Sequence, residues 1–109
     1  MRAEELKGSL DGMLLAVLNG APMHGYAIIT ALRERSNGTV NLPSGTVYPA
    51  LHRLENADLI SSSWDSSAGR RRRVYEITPA GERALRATRA NWREIIETVR
   101  SVVLNDEPA

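Results

Sequence analysis

The sequence predicts a mainly α-helical fold with one small β-hairpin, and three features of it lead there. Apolar residues recur at helical spacing in three short stretches. Two short runs with two-residue alternation then flank a turn-rich tip. A final stretch keeps a seven-residue apolar rhythm over about 26 residues, or about 39 Å of helix. The chain of 109 residues is the size of one domain.

The first helix is expected over residues 9–19, where Leu10, Met13, Leu14, Val17 and Leu18 share a face that Leu15 and Ala16 widen. Gly20-Ala21-Pro22 ends it. Residues 24–36 repeat the pattern, with Ala27, Ile28, Ala31 and Leu32 inward and Arg33, Glu34 and Arg35 outward. Asn37-Gly38 suits the left-handed exit of that helix, and residues 39–42 read as extended. The third helix is expected to start at Ser44, with its hydroxyl as the cap. Val47, Leu51 and Leu54 form its buried stripe. Pro49 is tolerable because it falls near the start, and the carbonyl its ring crowds belongs to Gly45.

The hairpin strands are expected at residues 59–64 and 72–78, joined through Ser66-Ser67-Ala68-Gly69. Ile60 and Trp64 share a strand face, as do Tyr75 and Ile77. Thr78 is the expected cap of the last helix, Pro79 its first residue, and Glu82 a first-turn carboxylate that suits the helix dipole. This order is that of a winged helix-turn-helix, with the hairpin as wing, followed by a long C-terminal dimerisation helix. The expected division is a winged-helix domain at 1–78, a dimerisation helix at 79–104 and a disordered tail at 105–109.

Composition narrows the function. With no cysteine and two histidines there is no disulfide framework, no expected metal site and no cysteine nucleophile. No phosphate loop or catalytic motif is found, so no catalytic residue and no cofactor is expected. Arg2, Glu4, Glu5 and Lys7 do not suit a signal peptide, and the apolar run at 13–18 is far short of the ~20 residues of a membrane span. A cytoplasmic protein with no membrane partner is the expectation. The net charge is only +1, yet Arg70, Arg71, Arg72 and Arg73 are consecutive. Field strength is local, so such a spot can bind a polyanion.

Two features carry the functional expectation. The outward face of the third helix is small and polar at Ser44, Gly45 and Thr46, then offers Tyr48, His52 and Arg53 as donors to phosphates or base edges. Taken alone, that face could be ordinary solvated surface. Four self-repelling arginines on a hairpin beside it point to double-stranded DNA. In the last helix Leu85, Trp92 and Val99 recur every seven residues, as do Thr88, Ile95 and Val102, and Ile96 and Val103 widen the seam. A homodimer through this seam is expected, with Leu6 and Leu10 closing over it, although part of the seam could pack inside its own chain. Trp92, with Thr88 one turn away, either packs in the interface or stacks on a small molecule there. A winged helix that binds only other proteins is the rival reading, and it leaves the arginines without a purpose.

His24-Gly25-Tyr26, the run from Ser44-Gly45-Thr46-Val47-Tyr48-Pro49 to Glu55, and the string from Gly69 through the arginines to Val74-Tyr75-Glu76-Ile77-Thr78-Pro79-Ala80-Gly81 resemble the PadR family of phenolic-acid-responsive repressors. The resemblance covers residues 9–104. It implies a repressor that dimerises through its C-terminal helix and binds inverted-repeat operators. It also implies that Tyr26, Ser44, Thr46, Tyr48 and the wing arginines face DNA. The single long C-terminal helix resembles the family's short subgroup, some members of which bind flat aromatic drugs between tryptophan-bearing helices. That implicates Trp92 and an aromatic effector, of no stated identity. Asp58 stands where the family usually has glycine, and aspartate tolerates the left-handed conformation required there.

Overall fold

The computed structural model describes residues 9–67 and 69–106. Its elements run α1 (Leu10–Leu18), β1 (Met23–His24), α2 (Gly25–Arg35), α3 (Ser44–Asn56), β2 (Ile60–Asp65), β3 (Arg72–Ile77) and α4 (Pro79–Val99). Beyond Val99 the helix continues through Arg100–Leu104 with wider, π-helical turns. The expected helices and hairpin strands are therefore present, with ends displaced by a few residues at most.

The core forms where the apolar stripes of α1, α2 and α3 meet the inner face of the hairpin. Leu14, Leu18, Ile28, Val47, Leu51, Ile60 and Tyr75 are all fully buried. Each such aliphatic side chain contributes about 1.5–3 kcal/mol of burial free energy, which makes this cluster the fold's main support. Leu85 closes it from α4. Leu85 was expected on the dimer seam; the structure turns it inward, 2% exposed, because the first turns of α4 pack on the core before the helix leaves it. Leu10 is partly buried against the same cluster. Leu6 and the end of the expected tail, residues 107–109, lie outside the described residues.

Backbone chemistry sets the element ends. Asn37 and Gly38 both adopt positive φ, 53° and 84°, at the exit of α2, and Asp58 does so at 61° after α3. Thr78 caps α4: its Oγ1 accepts from the Gly81 N–H at 3.0 Å and its hydroxyl donates to the Asp58 carbonyl at 2.7 Å. One side chain thus joins the left-handed turn to the last helix. The expected cap of α3 is corrected. The capping position belongs to Pro43, whose carbonyl accepts from Thr46 and Val47 at 3.0 and 3.2 Å, and the Ser44 hydroxyl makes no capping bond. Extended Pro43 starts the helix one residue earlier, which places Ser44 inside the first turn.

The sheet holds a third strand that alternation alone did not reveal. The order is β1-β3-β2, all antiparallel, with Met23 opposite Tyr75 and His24 opposite Val74. In the hairpin Ile60 faces Ile77, Trp64 faces Arg73 and Asp65 faces Arg72. The described chain measures 57 × 27 × 21 Å, and the long dimension reflects the projection of α4 and its continuation.

Candidate nucleic-acid interface

The exposed side of α3 begins with Ser44 and Gly45, and its middle turn carries Tyr48, His52 and Arg53 on the surface; Thr46 is half-buried. His52 stands open. Arg53 is also exposed but engaged: its Nη2 donates to Asp11 Oδ1 at 3.0 Å and so ties α3 to α1. Tyr48 leans over the start of α2. A Cβ at Gly25 would collide with the Tyr48 ring, so glycine is what lets the phenol lie there. Tyr26, the second residue of α2, is 75% exposed beside it.

The wing approaches the same place. His24, Gly25, Tyr26, Tyr48, Trp64, Tyr75 and the arginines Arg71, Arg72 and Arg73 surround one concavity of about 220 Å³. The structure therefore brings five of the sequence-predicted residues together there. Ser44, Thr46, His52, Arg53 and Arg70 lie outside that concavity.

The four arginines are not equivalent. Arg73 Nε donates to the Ser62 hydroxyl at 2.9 Å, and that hydroxyl donates to Glu55 Oε2 at 2.6 Å. Its Nη2 also lies 3.9 Å from the same carboxylate oxygen. Arg73 is thus a strap between wing and α3. Arg72 stands opposite Asp65, whose carboxylate lies below its ordinary pKa of 3.8. Hydrogen bonds from Ser67 are the main cause, with the nearby charges of His24 and Arg72 adding to them. His24 Nε2 lies 3.5 Å from Asp65 Oδ2, an ion pair only when the imidazole is protonated. Arg70 and Arg71 are exposed and make no ion pair among the described residues. Burial holds the Tyr75 phenol above its ordinary 10.0, against the opposing pull of Arg73.

A second concavity of about 470 Å³ lies between α1 and α4, lined by Gly12, Met13, Ala16, Thr88, Trp92 and Ile96 among others, with Arg89 and Arg93 also in its wall. It unites Thr88 and Trp92, the two residues singled out for a ligand. Ile96 and, beyond the concavity, Ile95, Val99, Val102 and Val103 stand exposed along the helix and its continuation.

Sequence reasoning missed Trp64, Ser62, Glu55 and Asp11 as parts of this surface. Their contacts rest on hairpin register and on packing across elements, for which one-dimensional spacing holds no signal.

Residues 14–87 match the transcriptional regulator PadR-like family. The chain is 42% identical over 67 residues to a transcriptional regulator of Mycobacterium tuberculosis, covering 62% of this chain and 63% of that one. Its fold superimposes on a transcriptional regulator from Clostridium thermocellum with a TM-score of 0.84 at 25% identity, covering 93% and 99% of the two chains. A PadR family transcription regulator from Clostridium difficile gives 0.78 at 32% identity, covering 86% and 97%. Fold, motifs and matches agree: the chain belongs to the PadR-like family of transcriptional regulators, winged-helix proteins that bind DNA.

Proposed function

We propose that the protein is a homodimeric repressor that holds an inverted-repeat operator and releases it when a flat aromatic molecule binds beside Trp92. The observation that carries the DNA reading is the meeting of wing and recognition helix. Exposed arginines line one concavity together with Tyr26 and Tyr48, and Tyr48 belongs to α3. In this reading α3 enters the major groove, His52 reads base edges, and Ser44, Thr46 and Tyr48 lie along the backbone. Arg70, Arg71 and Arg72 supply phosphate contacts from the wing, while Arg73 and Arg53 contribute what their internal partners leave free.

The exposed apolar stripe of α4 supports a dimer. Trp92, Ile95, Ile96, Val99, Val102 and Val103 form a face longer than the core of one chain can cover, and a second copy supplies the same face in return. Residues 1–78 then form the DNA-binding part and residues 79–104 the dimerisation helix, with the first turns of that helix shared by the core.

The concavity between α1 and α4 supports an effector. It is lined mainly by apolar groups, it holds Trp92 and Thr88, and it sits where α4 leaves the core. A planar ligand there would set the angle of α4, and with it the spacing of the two recognition helices. It would release DNA only as far as it prefers the spacing that does not fit the operator.

The test is a titration of operator-bound protein with planar aromatic compounds, read by gel shift and by Trp92 fluorescence in a Trp64→Phe background. The reading expects quenching of Trp92 together with DNA release, and no DNA release in a Trp92→Ala variant that sedimentation shows to be still dimeric. An aromatic panel that neither quenches nor releases would leave Trp92 as a packing residue and remove the effector.

A further inference from the structure

Trp64 stands on β2 with 54% of its surface exposed, an unusual station for the largest side chain unless something uses it. The Arg71 guanidinium carbon lies 4.5 Å from its ring centroid and that of Arg73 lies 4.9 Å away. Both are within the range of about 6 Å for cation–π attraction. The two arginines differ in what else holds them. Arg73 is strapped to α3 through Ser62 and Glu55. Among the described residues Arg71 makes no hydrogen bond and no ion pair, and its guanidinium meets the indole.

We propose that Trp64 is a positioning residue for DNA binding, whose indole holds the Arg71 guanidinium ready for a backbone phosphate. The inference rests on the reading of the wing as a DNA contact. Stacking suits this role better than a salt bridge. It uses the flat face of the guanidinium and leaves all five N–H donors at its edge unspent, so the arginine is ordered without being neutralised. A carboxylate partner would order Arg71 and also occupy the donors that a phosphate needs. Without the indole, Arg71 would be a long, mobile side chain beside two other arginines, and binding would have to order it. Arg73, anchored to α3 and set directly opposite Trp64 in the hairpin, backs the same ring.

The experiment compares wild type, Trp64→Leu, Trp64→Phe, Arg71→Ala and the double variant Trp64→Leu/Arg71→Ala. Operator affinity is measured across a salt series, and thermal unfolding is recorded for each protein. Trp64→Leu is expected to weaken binding about three- to tenfold, with the slope of log affinity against log salt unchanged, because Arg71 still reaches its phosphate once bound. Trp64→Phe should recover most of that affinity. Arg71→Ala should lower both affinity and slope, the slope by about one unit. In the Arg71→Ala background, Trp64→Leu should change affinity by less than about twofold, the signature of residues that act as a unit. Wild-type affinity in Trp64→Leu, or a full Trp64 effect that persists without Arg71, overturns the proposal. Arg71→Ala with unchanged affinity and slope overturns the wing reading itself. If Trp64→Leu fails to fold, Trp64→Phe in both backgrounds takes its place, with a smaller decrease that must again vanish without Arg71.

Discussion

Arg53 Nη2 and Asp11 Oδ1 lie 3.0 Å apart, so α3, the proposed recognition helix, is tied to α1 through an exposed side chain. The pair is exposed on both sides, and such pairs stabilise a fold by only about 0.2–1 kcal/mol. Its larger consequence is electrostatic, since a carboxylate sits at the edge of the surface proposed to meet phosphates. Asp11→Asn should therefore tighten binding to operator and unrelated duplex alike, by a few-fold at low salt, and steepen the salt slope as Arg53 becomes available. Fluorescence anisotropy at several salt concentrations measures both. Weaker binding in Asp11→Asn would mean that the pair positions Arg53 for DNA rather than withholding it.

The wing should supply affinity without discrimination. Arg71→Ala with Arg72→Ala should weaken operator and scrambled duplex by similar factors and flatten the salt slope by roughly 0.9 for each phosphate left without its arginine. Weakening confined to the operator would reassign these arginines to base recognition.

His52 should carry sequence preference instead, because it stands open on α3 where Arg53 is engaged. His52→Ala should relax selection at one base position in each half-site, at about 1–3 kcal/mol for each base no longer read. Binding assays against operators varied one base pair at a time locate that position. An unchanged profile would move sequence reading to another residue or to DNA shape.

Core and seam on α4 separate by experiment. Leu85→Ala should destabilise the fold by about 2–5 kcal/mol, as a cavity in the core does. Ile95→Glu with Val99→Glu should leave that core intact and yield monomers in sedimentation. A charged double variant that remains dimeric would place the interface elsewhere.

Much of this was legible in the sequence because each element carries its own local signature. The stripe Val47, Leu51, Leu54 marked α3 through side-chain period, Asn37-Gly38 marked a helix exit through φ preference, and Thr78-Pro79 marked a helix start through capping. What escaped depends on pairing at a distance. The two-residue strand β1 is too short to alternate, and it exists only because Met23 and His24 meet Tyr75 and Val74. The division of labour among the arginines needs the hairpin register, since only that places Arg73 across from Trp64. Leu85 keeps the heptad rhythm equally well whether it faces a partner or its own core, so periodicity could not decide its side. Ser44 was a good cap by residue type, but Pro43 took the position through backbone geometry.

The pH dependence of stability follows from Tyr75 and Asp65 with opposite signs. Burial raises the Tyr75 phenol above 10.0, so the folded state holds that proton more tightly than the unfolded chain. Its contribution is complete below pH 10 and is lost as pH rises through 10 toward the folded value. Asp65 lies below 3.8 in the fold, so its contribution is present above that value and is lost as pH falls through the lower folded pKa. Urea denaturation between pH 9 and 11 should show a decline in stability that Tyr75→Phe reduces. The same decline in the variant would assign alkaline unfolding to other groups.

Two copies of α3, held together by α4, should read DNA as a symmetric pair. Selection of bound duplexes from a random library decides whether they do. The expected outcome is enrichment of an inverted repeat whose half-site centres lie about one helical turn apart, 34–36 Å, or a multiple of that spacing. Recovery of single half-sites, of direct repeats, or of no consensus at all would contradict the symmetric pair.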